Sequence, residues 1–237
     1  MIGTIVNTAG ILIGGVCGHL FGRILDNRHQ ETLTMACGVS TLFIGIAGAM
    51  RHMLHNDGLP GGGSMLVVAC LALGGLIGEL IDIERGFEAF GEWLKVKTGN
   101  ARDQRFVNGF VTASLTVCIG AMAIVGAIQD GLAGDWSTLG AKAILDLIIV
   151  MVMTCSLGKG CMFSAIPVFI WEGAITLLAG ALKPVVTDLA MDYLSLVGSV
   201  LIFCVGVNLV WGKRIRVANL LPAVALAVAA AFLPIKF

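Results

Sequence analysis

The sequence predicts an all-α polytopic membrane protein: about eight transmembrane helices in one bundle, with an internal two-hairpin repeat and one interfacial amphipathic helix. Three observations predict it. Of 237 residues, 57% are hydrophobic and 13% charged, and the mean hydropathy is +0.95, outside the usual composition of soluble domains. Apolar runs recur that are long enough, at ~1.5 Å per helical residue, to cross the ~30 Å hydrocarbon core of a bilayer. One long polar connection interrupts them, Asp82 to Arg105, and it carries helical spacing of its own.

Residues 1–237 therefore read as a single integral membrane domain in contact with the lipid bilayer. The N-terminus MIGTIVN lacks the basic region of a cleavable signal, and the first apolar run is long enough to remain as a helix. A formal charge of zero gives no basic excess for nucleic acid. The seven cysteines are odd in number, scattered, and nearly all inside apolar runs, so they read as packing residues rather than a disulfide framework or a metal or redox centre. No cofactor is implied.

The expected spans run approximately from Ile2 to Leu25, Leu33 to Leu54, Ser64 to Ile81, Phe106 to Ile128, Ser137 to Leu157, Cys161 to Leu182, Tyr193 to Trp211 and Val217 to Leu233. In the last, Asn219 and Pro222 interrupt the start. Eleven Lys and Arg residues fall in the loops after spans one, three, five and seven: Arg23, Arg28, Arg85, Lys95, Lys97, Arg102, Arg105, Lys159, Lys213, Arg214 and Arg216. Only Arg51, Lys142, Lys183 and Lys236 fall on the other side. Basic loops stay in the cytoplasm, which places both termini outside.

Span one carries Gly10, Gly14, Gly18 and Gly22 at four-residue spacing, with Gly3 and Asn7 continuing the face. In lipid such a stripe lets another backbone approach closely. Asn7 serves either as glue between helices or as a ligand. The pattern GGxxGxL occurs at Gly14 to Leu20 and again at Gly74 to Leu80, and Ile44-Gly45 is matched by Ile119-Gly120. Residues 1–55 and 64–132 are thus candidate repeat units. His52, His55 and Asp57 have spacing for a metal, but they share a short Gly-rich loop with no further ligand, so a solvated loop is the simpler reading. In the polar connection Ile83, Phe87, Phe90 and Leu94 form one stripe, while Glu84, Glu88, Glu92 and Lys95 decorate the remaining surface.

The chemistry concentrates in a central hairpin, residues 137–182. Asp146 lies nine residues after Ser137 and Glu172 twelve after Gly160, which puts both carboxylates roughly 13 to 18 Å along their helices, near the midplane. An ionisable group there costs about 2.5 to 3.5 kcal/mol on insertion scales, so it marks an internal pair, an aqueous cavity or a site. Lys142 is one turn before Asp146 on the same face. Pro167 removes a backbone donor and exposes the carbonyl near Phe163. Asp130 and Asp135 stand at the outer end of this hairpin, as a cation-attracting mouth or as ordinary capping residues. Asp146, Lys142, Glu172, Asn7, Ser164 and Asp130 are the candidate substrate- or ion-binding residues.

Four blocks carry a family likeness: Cys118 to Leu132 (CIGAMAIVGAIQDGL), the Lys142 and Asp146 pair in KAILD, the LGKG...FSAIPV run from Leu157 to Val168, and RVANLLP from Arg216 to Pro222. With the opening GTIVN...GG, they resemble the YqgA/YdfK family of bacterial inner-membrane proteins over nearly the whole chain. The resemblance implies a transport protein of the bacterial plasma membrane and supplies no substrate. It implies Gln more often than Glu at position 172, leaving Asp146 as the shared carboxylate.

Two function classes follow. In the first, the protein is a transporter or channel for a small solute or inorganic cation, and the midplane carboxylates trade a proton for a cation. In the second, it is a non-transporting subunit, scaffold or sensor whose buried charges are structural. An enzyme is not expected, since GxSxG and HExxH are absent and Ser164 is remote from any histidine. The small-residue stripes also suit contacts between copies, giving a homo-oligomer.

Overall fold

The computed structural model describes residues 1–22, 24–54, 63–101, 103, 105–119, 121–184 and 186–232. Among them there is no strand. The helices are α1 (Ile2–Gly22), α2 (Asn27–Leu54), α3 (Ser64–Ile81), α4 (Ile83–Lys97), α5 (Phe106–Cys118), α6 (Ala121–Ala133) and α7 (Ser137–Leu157). After a 3-10 turn (Lys159–Ser164) come α8 (Ala165–Leu177), α9 (Ala179–Leu182) and α10 (Asp188–Trp211). A second 3-10 turn (Val217–Leu220) leads into α11 (Pro222–Ala230).

Among the described residues six helical stretches are long and apolar enough to cross a membrane: α1, Arg28–Leu54 of α2, α3, α7, Lys159–Leu177 and α10. A seventh is counted if α5 and α6 form one span, but the two are bent by 62°. Against the expected eight, the described residues hold six or seven; Leu233, the expected end of the last span, lies outside them. The stretch Val217–Ala230 falls short because a 3-10 turn precedes Pro222, whose ring starts a fresh helix of nine residues. Fourteen helical residues reach only about 21 Å. Pro167 is also at a helix start, third in α8, where its missing N–H has no intrahelical partner to lose.

The chain divides into two compact units. Unit 1 comprises Met1–Cys37, Gly86–Cys118 and Met122–Lys183; unit 2 comprises Gly38–Arg85, Ile119–Ala121 and Pro184–Phe237.

In unit 1 the glycine stripe of α1 lies along α7 in parallel. Gly3 meets Leu139, and Gly10, Gly14, Gly18 and Gly22 meet Ala143, Leu147, Met151 and Cys155, four residues apart on both helices. A Cβ at Gly14 or Gly18 would strike the carbonyl of Leu147 or Met151, so only glycine permits this approach. Gly15 faces Met162 of the first 3-10 turn, and that turn packs on α5 through Gly160 against Phe106 and Gly109 against Cys161. Residues of α4 join the same unit: Leu94 is buried, and Phe90 packs on Trp93 and Phe110 with ring centroids 5.7 and 5.8 Å apart.

In unit 2 the second half of α2 runs antiparallel to α10, with Gly38, Leu42, Gly45 and Gly48 against Val210, Gly206, Phe203 and Ser199. Helix α3 sets Gly74, Gly75 and Gly78 against Ala223, Leu220 and Asn219. The end of α3 and the second 3-10 turn are tied by polar contacts. Asn219 Nδ2 donates to Glu79 Oε2 (2.7 Å), the Glu84 N–H to Asn219 Oδ1 (2.7 Å) and the Ala218 N–H to Glu84 Oε2 (3.2 Å). Lys213 Nζ lies 2.7 Å from Glu84 Oε1, and Arg216 pairs with Glu79. Glu84 is thus 5% exposed, not a surface decoration of the amphipathic helix, because the turn brings it a cation and a free backbone donor.

Candidate functional site: a buried ion cluster in unit 1

Three helices and the end of a fourth meet around Lys142. Helix α7 carries Lys142 and Asp146 one turn apart, so the ammonium and carboxylate pair along the helix. Helix α8 brings Glu172, whose Oε1 lies 3.7 Å from Lys142 Nζ. Helix α1 brings Asn7 on the glycine face, and its Nδ2 donates to the same Glu172 Oε1 at 2.8 Å. Lys142 Nζ also donates to the Val117 carbonyl at 2.8 Å. Helix α5 ends at Cys118, so Val117 belongs to the last turn, whose carbonyls lack helical donors and form the negative end of the helix dipole. A cation is well placed there.

All four side chains are withdrawn from solvent: Asn7 is 0% exposed, Glu172 1%, Asp146 4% and Lys142 6%. With every group ionised the cluster holds one positive and two negative charges. A second layer fixes the backbones. The Thr4 and Thr176 hydroxyls lie 3.2 Å apart, and Thr176 Oγ1 donates to the Glu172 carbonyl at 2.8 Å.

The sequence-chosen residues separate into two groups. Asn7, Lys142, Asp146 and Glu172 come together. Asp130, on α6, is buried but accepts from the Gly3 N–H at 2.9 Å and lies 2.8 Å from the Met1 amino group, one turn of α1 before Asn7. Ser164 is fully buried at the end of the first 3-10 turn, eight residues before Glu172, which is about 12 Å along a helix. Among the described residues its Oγ has no hydrogen-bond partner, and neither have Ser114 Oγ, Thr154 Oγ1, Asn7 Oδ1 and Glu172 Oε2. Each such buried atom costs about 1–3 kcal/mol if nothing serves it.

Thr4, Thr176 and the Val117 carbonyl were missed by sequence reasoning. The threonines were accessible to it, lying one turn from Asn7 and from Glu172 on the same faces. No residue pattern marks the carbonyl. His52, one of the loop residues with metal spacing, has Nδ1 3.5 Å from Asp192 Oδ1 within unit 2; His55 and Asp57 lie outside the described residues. Among the described residues no group of three or more His, Cys, Asp or Glu side chains gathers around a metal-sized space.

Long apolar helices and a buried ion cluster inside one unit define a multi-pass helical membrane protein. The chain belongs to the family described as "Protein of unknown function (DUF554)", whose model matches residues 2–232. It is 29% identical over 223 residues to "Uncharacterized membrane protein YdfK" of Bacillus subtilis (strain 168), covering 94% of this chain and 92% of that protein. It is 31% identical over 231 residues to "Uncharacterized protein YqgA" of Escherichia coli (strain K12), covering 96% and 94%. No solved structure matches it.

Proposed function

We propose that this protein is a transporter or channel for a small solute or inorganic cation, with Asp146, Glu172 and Lys142 as its binding centre and Asn7 as a fourth ligand. One observation carries the reading: two carboxylates share one ammonium inside a unit built of membrane-length helices. Keeping them there is costly, and ionisable groups held at that cost commonly mark an ion or solute pathway. The broken α5–α6 pair supports it, because discontinuous helices in transporters present free backbone carbonyls to cations.

On this reading the protein is a multi-pass component of the bacterial plasma membrane. Both termini face outward, α4 lies along the cytoplasmic interface, and copies associate through the remaining small-residue faces.

Flux in sealed proteoliposomes tests it, with sodium, potassium and pH varied in turn. The wild type is expected to carry one ion or to respond to one, and Asp146→Asn to lose that flux while remaining folded by size-exclusion chromatography. Full flux in Asp146→Asn removes the cluster from the mechanism.

A further inference from the structure

The contact between Asn7 and Glu172 is half satisfied. Asn7 Nδ2 donates to Glu172 Oε1 at 2.8 Å. The single oxygen of Asn7, Oδ1, and the second oxygen of Glu172, Oε2, are buried without a donor among the described residues. An amide oxygen only accepts, and so does an ionised carboxylate.

The neighbouring donors are turned elsewhere, the remaining N–H of Lys142 being nearest Glu172 Oε1 at 3.7 Å and not the unpartnered oxygens. Lys142 Nζ bonds Asp146 and the Val117 carbonyl, and the Thr176 hydroxyl bonds the Glu172 main chain. The charged and titratable groups facing Glu172 are Lys142 and Asp146 on α7 and Cys118 at the end of α5; α1 contributes only Asn7 at this level.

We propose that Glu172 binds a proton on Oε2 and donates it to Asn7 Oδ1, making the α1–α8 contact a proton-binding site. One proton turns an acceptor into a donor, serves both unpartnered oxygens, and leaves the cluster neutral: Lys142 balances Asp146, and Glu172 is an acid. Turning the Asn7 amide over does not remove the need. Its oxygen would then face Oε1, where again only a carboxylic acid can donate.

The site also gives a coupling route, in a step that rests on the transport reading above. A cation arriving at Asp146 displaces the Lys142 ammonium toward Glu172 Oε1, 3.7 Å away. Glu172 then ionises and releases its proton, so one positive charge enters the cluster as another leaves.

The test uses the full chain in lipid nanodiscs at neutral pH. Infrared spectroscopy is expected to show a carboxylic-acid carbonyl band that shifts on exchange into heavy water, is lost in Glu172→Gln and persists in Asp146→Asn. Dicyclohexylcarbodiimide, which reacts with protonated carboxyls in apolar surroundings, is expected to label Glu172 and not Asp146 in the unmutated protein. Glu172→Gln keeps a donor for Asn7 Oδ1, so its thermal midpoint is expected to match the wild type while Glu172→Ala falls.

Absence of an acid band, its loss in Asp146→Asn alone, or labelling confined to Asp146 overturns the proposal. The two readings fail separately. An acid band without flux keeps the proton site and removes transport; flux without an acid band does the reverse.

Discussion

The α7–α8 hairpin of unit 1 and the α10–α11 hairpin of unit 2 turn by the same device and enclose different contents. Each first helix ends on a glycine with nearly the same backbone, Gly158 at φ 93°, ψ −174° and Gly212 at φ 77°, ψ 178°. Each glycine is followed by a lysine, a 3-10 turn and a helix with proline in its first turn, Pro167 or Pro222. Each hairpin is also packed by a helix bearing GGxxGxL, α1 in one unit and α3 in the other.

Counting back from the glycines, the positions of Lys142 and Asp146 correspond to Leu196 and Val200; counting on from the prolines, Glu172 corresponds to Ala227. Where one hairpin holds an ammonium and two carboxylates, the other holds three apolar side chains. The Lys213–Glu84 and Arg216–Glu79 ion pairs of unit 2 sit instead around the turn. The turn device therefore does not require charge between its two helices, and the cluster of unit 1 is an addition to the architecture.

The strongest way to break this comparison is to make the first hairpin resemble the second. Lys142→Met alone leaves carboxylates without their cation. It is expected to destabilise the protein by about 3–5 kcal/mol, the cost of breaking a buried pair, read from thermal unfolding in detergent. The triple change Lys142→Leu, Asp146→Val and Glu172→Ala copies the second hairpin. It is expected to regain part of that loss, the remainder being the cost of the buried Asn7 amide that Glu172→Ala leaves unpartnered, and to carry no flux. A triple variant as unstable as the single one would show that the charges hold the hairpin together.

The shared glycines sharpen the comparison at a smaller scale. Both adopt a backbone region that is essentially glycine-only, costing about 1–3 kcal/mol for any other residue. A Cβ at Gly212 would meet nothing within 4 Å, and one at Gly158 would meet atoms only at 3.8 Å or beyond, so alanine tests conformation and not space. Gly158→Ala and Gly212→Ala are expected to lose similar stability, each within that range. A neutral Gly212→Ala would mean that the second turn relaxes and the likeness is superficial.

What the sequence disclosed follows from the range of each signal. The Lys142–Asp146 pair is one helical turn long, and Glu172 announces itself by being ionisable at mid-span, so three members of the cluster were readable locally. The stripe on α1 showed that some backbone would approach, but its partner α7 lies more than 130 residues away in sequence, beyond any periodicity. Glu84 was assigned to a wet surface for the same reason: Asn219, which holds its backbone N–H, is 135 residues distant. The bend between α5 and α6, which frees the Val117 carbonyl, left no mark stronger than one more glycine in a glycine-rich chain. The short α11 was foreshadowed by Pro222 and Asn219.

The smallest expected difference between the hairpins lies at their entrances. Helix α10 is capped by Thr187, whose hydroxyl accepts from the Ala190 N–H at 3.2 Å and does not titrate. At the start of α7 the corresponding acceptor is a carboxylate: Asp135 Oδ1 takes the Ser137 N–H at 3.0 Å. That bond from the Ser137 backbone, with a second from its hydroxyl, holds Asp135 below the usual carboxylate range. A depressed folded-state value means that the ionised Asp135 side chain stabilises the entrance to α7 above the unfolded carboxylate's titration, near pH 4, and that this contribution fades as the pH falls through the folded value. Amide hydrogen exchange at residues 137–141 should therefore accelerate in acid relative to residues 188–191. Asp135→Asn should make the two entrances respond alike, because an amide oxygen accepts the same bond from Ser137 without a charge to lose. Equal acid sensitivity in the unmutated protein would show that Asp135 does not govern the entrance to the charged hairpin.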